Sequence, residues 1–271
     1  MTSTQAAEEV QGAALTPLAG LLLSLADDEF VLGYWDSEWT GIAPVLEEDV
    51  AFSSLAQDEI GHAKAYYELL AHLTGGDADS IAYGRQPEEY RHARLPDHPR
   101  TDWAFSVARR YLYDSADAVR LESLAASSHQ PLADLVAKIR REEAYHLMHG
   151  EAWLRRLASV AGEPRERLTE ALKRLWPDAP TVFTPIEGEG ELVRSALLPD
   201  PMWTLQVRWL ARLEPLFREL RLPFPFVPTT NGYEPEFALR LEGGRCDRGD
   251  SFRWLWAEFT SVARLEQGAT W

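Results

Sequence analysis

The sequence has little of what marks a cross-linked, basic or membrane-spanning protein. Its 271 residues include one cysteine, Cys246, which excludes an intramolecular disulfide and a thiolate metal cluster. Bases are scarce: 27 Lys and Arg stand against 43 Asp and Glu, a formal net charge of −16, so nucleic acid is not an expected partner. The longest near-continuous apolar stretch, Pro17 to Ala26, is too short to cross a bilayer. The first ten residues lack the basic start of a signal peptide, and we therefore expect a cytoplasmic protein with no membrane partner.

Apolar residues recur with a helical period in four long segments, and no segment alternates for long with the two-residue period of a strand. Pro44, the pair Gly75–Gly76 and a turn at Ser128 separate these segments. The predicted long helices are 17–39, 45–73, 102–126 and 132–160, the later helices are 165–175, 202–220 and 251–265, and the main connections are 77–101 and 229–250. We therefore predict a flexible tail (1–15) and a single all-α domain (16–271), made of a four-helix core (16–160) and a helical C-terminal extension (161–271).

Two of these helices carry polar residues on faces that should be apolar. Glu59 and His62 share a stripe with apolar residues of the second helix, and Glu143 and His146 do so on the fourth. Each pair has the spacing Glu-x-x-His, which places both side chains on one helical face, one turn apart. Ionisable groups on a core-facing stripe indicate a buried polar site.

The two remaining helices each supply an acid at a matching depth. Residues at equal distances from the turn of an antiparallel hairpin lie at the same level. Glu29 lies as far before Pro44 as Glu59 lies after it, and Asp114 lies 14 residues before the second turn while Glu143 lies 15 after it. Two Glu-x-x-His pairs and two further carboxylates form the ligand set of ferritin-like di-iron or di-manganese bundles. The sequence therefore predicts a ferritin-like bundle with metal ligands Glu29, Glu59, His62, Asp114, Glu143 and His146.

Several alternatives stay open for this site. A shift of helical register would replace a predicted acid by one of its close competitors, Asp28, Asp58, Asp117 or Glu142. The cluster could also be vestigial and hold no metal. Its carboxyl pKa values would then be raised, because four ionised carboxylates cannot share an apolar core without cations. A third Glu-x-x-His pair, Glu89 and His92, is interpreted as chance because it lies in a proline-punctuated connection, where we expect His92 to be solvated.

Three segments carry a family resemblance. They are LADDEFVLGYWDSEWTGIAPVLEEDVAFSSLAQDEIGHA (25–63), EEAYHLMHGEAWLRRL (142–157) and GATW (268–271). In these segments the chain resembles the phenylacetate-degradation monooxygenase family. Within that family it is more similar to the C-type subunits of the phenylacetyl-CoA ring-1,2-epoxidase than to the catalytic A-type subunits. The resemblance covers most of residues 18–271 and is thinner between 163 and 250.

This resemblance implies an accessory role in a multicomponent oxygenase. The A-type subunit uses a di-iron centre, O₂ and reducing equivalents to epoxidise phenylacetyl-CoA. The C-type subunit pairs with it, alongside other epoxidase subunits and a flavin and iron–sulfur reductase that supplies electrons. C-type subunits are usually regarded as non-catalytic, because their ligand positions have decayed. This chain keeps ligand-type residues at all six predicted positions, so two alternatives stay open: a catalytic di-iron subunit using those six residues, and a ferritin-related metal-binding protein.

Overall fold

The structure is a computed structural model that describes residues 16–238, 244–246 and 248–265. The predicted tail (1–15) and the terminal segment GATW lie outside the described residues. In chain order the elements are α1 (Pro17–Ser37), α2 (Leu46–Thr74), α3 (Ala78–Tyr83), α4 (Trp103–Leu124), α5 (Gln130–Ser159), α6 (Glu163–Leu175), α7 (Glu189–Arg194), α8 (Met202–Leu220), β1 (Phe226–Thr229), β2 (Gly232–Pro235), α9 (Asp250–Phe259) and α10 (Ser261–Leu265). The prediction of an all-α, ferritin-like fold is confirmed.

Local sequence signals set the ends of the long helices. The Thr16 hydroxyl accepts a hydrogen bond from the Ala19 N–H, and Pro17 occupies the first turn of α1. Asp102 caps α4 in the same way, through a 2.9 Å bond from the Phe105 N–H. Gly75, with a φ of 75°, ends α2 in the left-handed conformation that glycine adopts at least cost. These caps explain why the predicted helix bounds lie within a few residues of the observed ones.

The four long helices pack as two hairpins. α1 packs along α2, and α4 packs along α5, while α2 also contacts α5. Gly33 permits the close approach of α1 to α2, since a Cβ there would lie 2.9 Å from Ile60 Cγ1 and 3.0 Å from the Ala56 carbonyl oxygen. Within the described residues, no helix combines the length and the apolar character that a bilayer crossing requires.

The described C-terminal part of the chain packs on α4 and on α1. α6 and α8 pack on α4, and α9 contacts α1. The short strands β1 and β2 form an antiparallel hairpin in which Phe226 pairs with Pro235. The sequence predicted a loop over most of this hairpin, and that prediction was wrong there: four residues per strand are too few to show a two-residue alternation. The division into a core (16–160) and an extension (161–271) stays a prediction.

Candidate metal centre

Four of the predicted ligands meet inside the bundle. Glu29 comes from α1, Glu59 and His62 come from α2, and Glu143 comes from α5. Each offers one ligand atom, and these four atoms all lie within 4.8 Å of one another. All four side chains are buried. Carboxylate and imidazole groups together suit divalent transition metals, so this cluster could hold a metal ion.

The two other predicted ligands lie beside this cluster. His146 Nδ1 is 2.9 Å from Glu143 Oε1 and 3.2 Å from Glu59 Oε1, so its ring contacts two carboxylates of the cluster. Asp114 is fully buried on α4, but its Oδ1 lies 3.1 Å from the Nε of Arg110. Asp114 is therefore the partner of a guanidinium in this structure.

The site has one further member, Arg110, that the sequence did not predict. Its fully buried guanidinium donates from Nη1 to Asp36 at 2.9 Å, from Nη2 to Glu59, and from Nε to Asp114. Nη2 also lies 2.8 Å from His146 Nδ1. The available signal was the spacing: Arg110 lies four residues before Asp114, and hence on the same helical face. A search of α4 for acids alone could not show that this face also carries a base.

The outer nitrogens of both histidines contact acids near the surface. His62 Nε2 lies 2.8 Å from Glu142 Oε2, and His146 Nε2 lies 3.2 Å from Asp58 Oδ2. Asp58 and Glu142 are partly exposed. Both are acids that a shift of helical register would have placed in the site instead of a predicted ligand. The structure places them around the cluster, where they orient the imidazoles.

Asp28 and Asp117, the two other acids that a shift of register would have placed in the site, belong to a second buried ionic group. Arg120 lies 2.6 Å from Asp28 Oδ2 and 2.6 Å from Asp117 Oδ1. Arg245 also reaches Asp28, at 2.9 Å. Tyr113 links this group to the metal-type cluster, because its hydroxyl donates to Glu29 Oε1 at 2.8 Å and accepts from Arg120 at 3.0 Å.

Burial and charge divide the carboxylates of the site into protonated and ionised members. Burial, and then the charge of Glu59, hold the pKa of Glu29 well above its usual range. Burial would raise the pKa of Glu59 as well, but the charge of Arg110 together with the hydrogen bonds to Glu29 and His146 outweighs it and holds that pKa well below the usual range. Burial raises the pKa of Asp114 despite the adjacent guanidinium.

The two histidines favour the protonated form when no metal is bound. Burial opposes the charge on His62, but the adjacent carboxylates of Glu143 and Glu29 outweigh it and raise the pKa to about 12. For His146, the carboxylates of Glu143 and Glu59 likewise outweigh burial and the charge of Arg110, and raise the pKa to about 10. The cluster without metal therefore carries protons, as expected for several acids in one core.

The fit of a metal differs between the two halves of the site. Within the described part of the chain, the buried atoms Glu29 Oε2, Glu59 Oε2, His62 Nδ1 and both Glu143 carboxylate oxygens make no hydrogen bond of regular geometry, although Glu143 Oε1 lies 3.3 Å from His62 Nδ1 and 2.9 Å from His146 Nδ1. These atoms fit one cation. In the other half, Arg110 already occupies the space between Glu59, Asp114 and His146. The residues present there do not fit a second cation.

Comparison with known proteins gives one family and two relatives. The family model described as phenylacetic acid catabolic protein matches residues 1–271. The C-type subunit of the 1,2-phenylacetyl-CoA epoxidase of Escherichia coli (strain K12) is 28% identical over 258 residues, which is 95% of this chain and 100% of that relative. The A-type subunit of the same organism's epoxidase is 26% identical over 150 residues, which is 55% of this chain and 48% of that relative.

Proposed function

Because the chain belongs to the phenylacetic acid catabolic protein family, we propose that it is the C-type accessory subunit of a multicomponent phenylacetyl-CoA epoxidase. In this role it pairs with a catalytic A-type subunit, next to other epoxidase subunits and a reductase that supplies electrons. The observation that carries the proposal is coverage: the match spans the whole of the curated C-type relative but only 48% of the curated A-type relative. A substrate esterified to coenzyme A agrees with the expected cytoplasmic location.

The geometry of the buried cluster supports an accessory role. A di-iron centre, when bound, supplies the binding and activation of O₂, and it needs two adjacent metal positions with open coordination sites. In this chain the Arg110 guanidinium lies in one of the two positions and donates to the carboxylates of Glu59 and Asp114, which the second metal would need as ligands. The proposal therefore assigns a di-iron cofactor to the A-type partner.

One observation favours the catalytic alternative. Glu29, Glu59, His62 and Glu143 converge in ligand geometry, which an accessory role does not require. If this chain were the catalytic one, these residues would hold the metal, and Arg110 would have to leave its three acceptors before a second ion could enter.

Co-expression with an A-type partner tests the proposal. The complex is isolated by size-exclusion chromatography, and phenylacetyl-CoA turnover is measured with the reductase present. We expect a complex of both chains whose turnover changes less than about twofold when this chain carries both Glu59→Gln and His62→Gln. Loss of turnover in an intact complex would establish the catalytic alternative, and failure of the wild-type chains to associate would contradict the C-type assignment.

A further inference from the structure

We propose that the buried cluster of this chain binds one divalent cation, with Glu29, Glu59, His62 and Glu143 as ligands, and that the Arg110 side chain permanently occupies the position of a second ion. This goes beyond the accessory function and does not rest on it, because an accessory chain could hold no ion, one or two. The two claims also fail separately: the first is tested by association of the two chains and by turnover, the second by metal binding to this chain alone.

The unpartnered atoms of the cluster point to a ligand. Both carboxylate oxygens of Glu143, one oxygen each of Glu29 and Glu59, and Nδ1 of His62 are buried and make no hydrogen bond of regular geometry among the described residues. They lie close together instead, with Glu143 Oε1 3.3 Å from His62 Nδ1 and 2.9 Å from His146 Nδ1. Unsatisfied buried polar atoms are costly, and several that converge on one point are the usual surroundings of a bound cation. A single ion there would satisfy one atom of each of the four residues.

The position of Arg110 is fixed from three helices. Asp36 on α1, Glu59 on α2 and Asp114 on α4 each accept from a different nitrogen of its guanidinium. Arg109 holds Asp36 from its other oxygen, so that this carboxylate is itself anchored. A planar guanidinium with this many charge-assisted bonds is pre-organised, and it cannot move aside without breaking all of them at once.

The charge balance of the site agrees with one ion. The carboxylates of Glu29, Glu59 and Glu143 face the cation, and the Arg110 guanidinium already places one positive charge beside Glu59. One divalent ion neutralises two of these three negative charges. A second divalent ion would make the cluster positive and would lie against the guanidinium, where like charges repel strongly in a buried site.

Manganese binding to the full chain tests this inference. The protein is freed of metal with a chelator and titrated with Mn²⁺, bound metal is counted by elemental analysis, and the bound ion is observed by electron paramagnetic resonance. We expect one Mn²⁺ per chain with the six-line spectrum of an isolated ion, and an affinity at least tenfold lower in His62→Gln. No binding, or two spin-coupled ions in the wild-type chain, would overturn the proposal.

A pair of neighbouring arginines supplies the matched variants. Arg110→Ala opens the second position and frees Glu59 and Asp114, so we expect two Mn²⁺ per chain and a spin-coupled spectrum. Arg109→Ala removes an equally buried guanidinium that contacts neither Glu59 nor Asp114. Among the acceptors of Arg110 it loosens only Asp36, and Arg110 keeps its bonds to Glu59 and Asp114, so this variant should still bind one ion. A second ion in both variants, or in neither, would contradict the role given to Arg110. If Arg110→Ala does not fold, the wild-type titration still gives the number of ions per chain. The affinity of His62→Gln still shows whether the four-ligand cluster binds them.

Discussion

The rings of His62 and His146 lie 6.0 Å apart between centroids, and each is held by an acid from the helix that carries the other. Glu142 on α5 contacts the outer nitrogen of His62, and Asp58 on α2 contacts the outer nitrogen of His146. Each of these acids directly precedes the Glu of a Glu-x-x-His pair. The two hairpins therefore support their histidines reciprocally, although only His62 belongs to the four-ligand cluster.

Because only His62 belongs to the four-ligand cluster, we expect Glu142→Gln and Asp58→Asn to differ in their effect on Mn²⁺ affinity. Glu142→Gln removes the charge that orients a ligand, and loss of such an outer partner commonly lowers metal affinity about 10- to 100-fold. We expect about a tenfold weaker Mn²⁺ affinity by titration calorimetry. Asp58→Asn makes the same change beside His146, outside the four-ligand set, and should leave the affinity within about twofold. Equal losses in the two variants would mean that His146 is also a ligand.

Gly33 is expected to be essential for the close packing of α1 and α2 beside Glu59. In Gly33→Ala the added Cβ would lie 3.0 Å from both Glu59 Cβ and the Ala56 carbonyl oxygen, so α1 and α2 would have to separate. Overpacking of this kind costs about 1–3 kcal/mol of unfolding free energy. Gly61→Ala is the control, because nothing lies within 4 Å of a Cβ there. The higher helix propensity of alanine should raise the unfolding free energy of this variant by up to about 1 kcal/mol. Urea denaturation of both variants checks the opposite signs.

Arg120 is expected to stabilise the fold through two buried acids. Arg120→Met leaves Asp117 without its guanidinium and leaves Asp28 with Arg245 alone, and breaking a buried pair in this way costs about 3–5 kcal/mol. Burial already raises the pKa of Asp117 to about 7, and the variant should raise it further. When the pKa of an acid is higher in the folded than in the unfolded state, the unfolding free energy of the protein falls as the pH rises toward the folded-state value.

The loss in Arg120→Met should therefore be larger at pH 8 than at pH 5, as measured by urea denaturation at both values. Arg212→Met is the control, since Arg212 pairs with Glu122 in a largely exposed position and should cost less than about 1 kcal/mol. A loss from Arg120→Met that is as small as that control, or that does not depend on pH, would contradict this account.

The helices and most of the cluster could be predicted from the sequence, because both depend on periodicity. The Glu-x-x-His spacing and the equal distance of Glu29 and Glu59 from Pro44 depend only on helix geometry and hairpin pairing. The structure brings Glu29, Glu59, His62 and Glu143 together, and it places His146 beside them.

Arg110 and the true environment of His92 could not be predicted in the same way. Whether a base on α4 reaches α1 and α2 depends on how far the helices are apart, which no spacing along one helix records. His92 lies in an irregular connection and was expected to be solvated, but that expectation was wrong: the ring is fully buried against Phe252, from a part of the chain 160 residues away. Long-range packing of this kind has no local signal.

The buried His92 predicts a specific loss of stability in mild acid. Burial, and then the charges of Arg248, Arg245 and Arg85, hold its pKa well below the usual range, although the Asp97 carboxylate lies 3.5 Å from Nε2. Below a pH of about 6.5 the unfolded chain binds a proton that the folded chain cannot, so the unfolding free energy falls by up to about 1.4 kcal/mol per pH unit.

In His92→Gln this contribution is absent. Between pH 7.5 and 5.5, the unfolding free energy of the wild-type chain should therefore fall by about 1.4 kcal/mol more than that of the variant, as measured by urea denaturation. His72→Gln, at an exposed position near the end of α2, should instead keep the wild-type pH dependence. If His92→Gln and the wild-type chain lose stability in parallel, the folded protein must bind the proton at His92, and the connection between α3 and α4 must open to water at that pH.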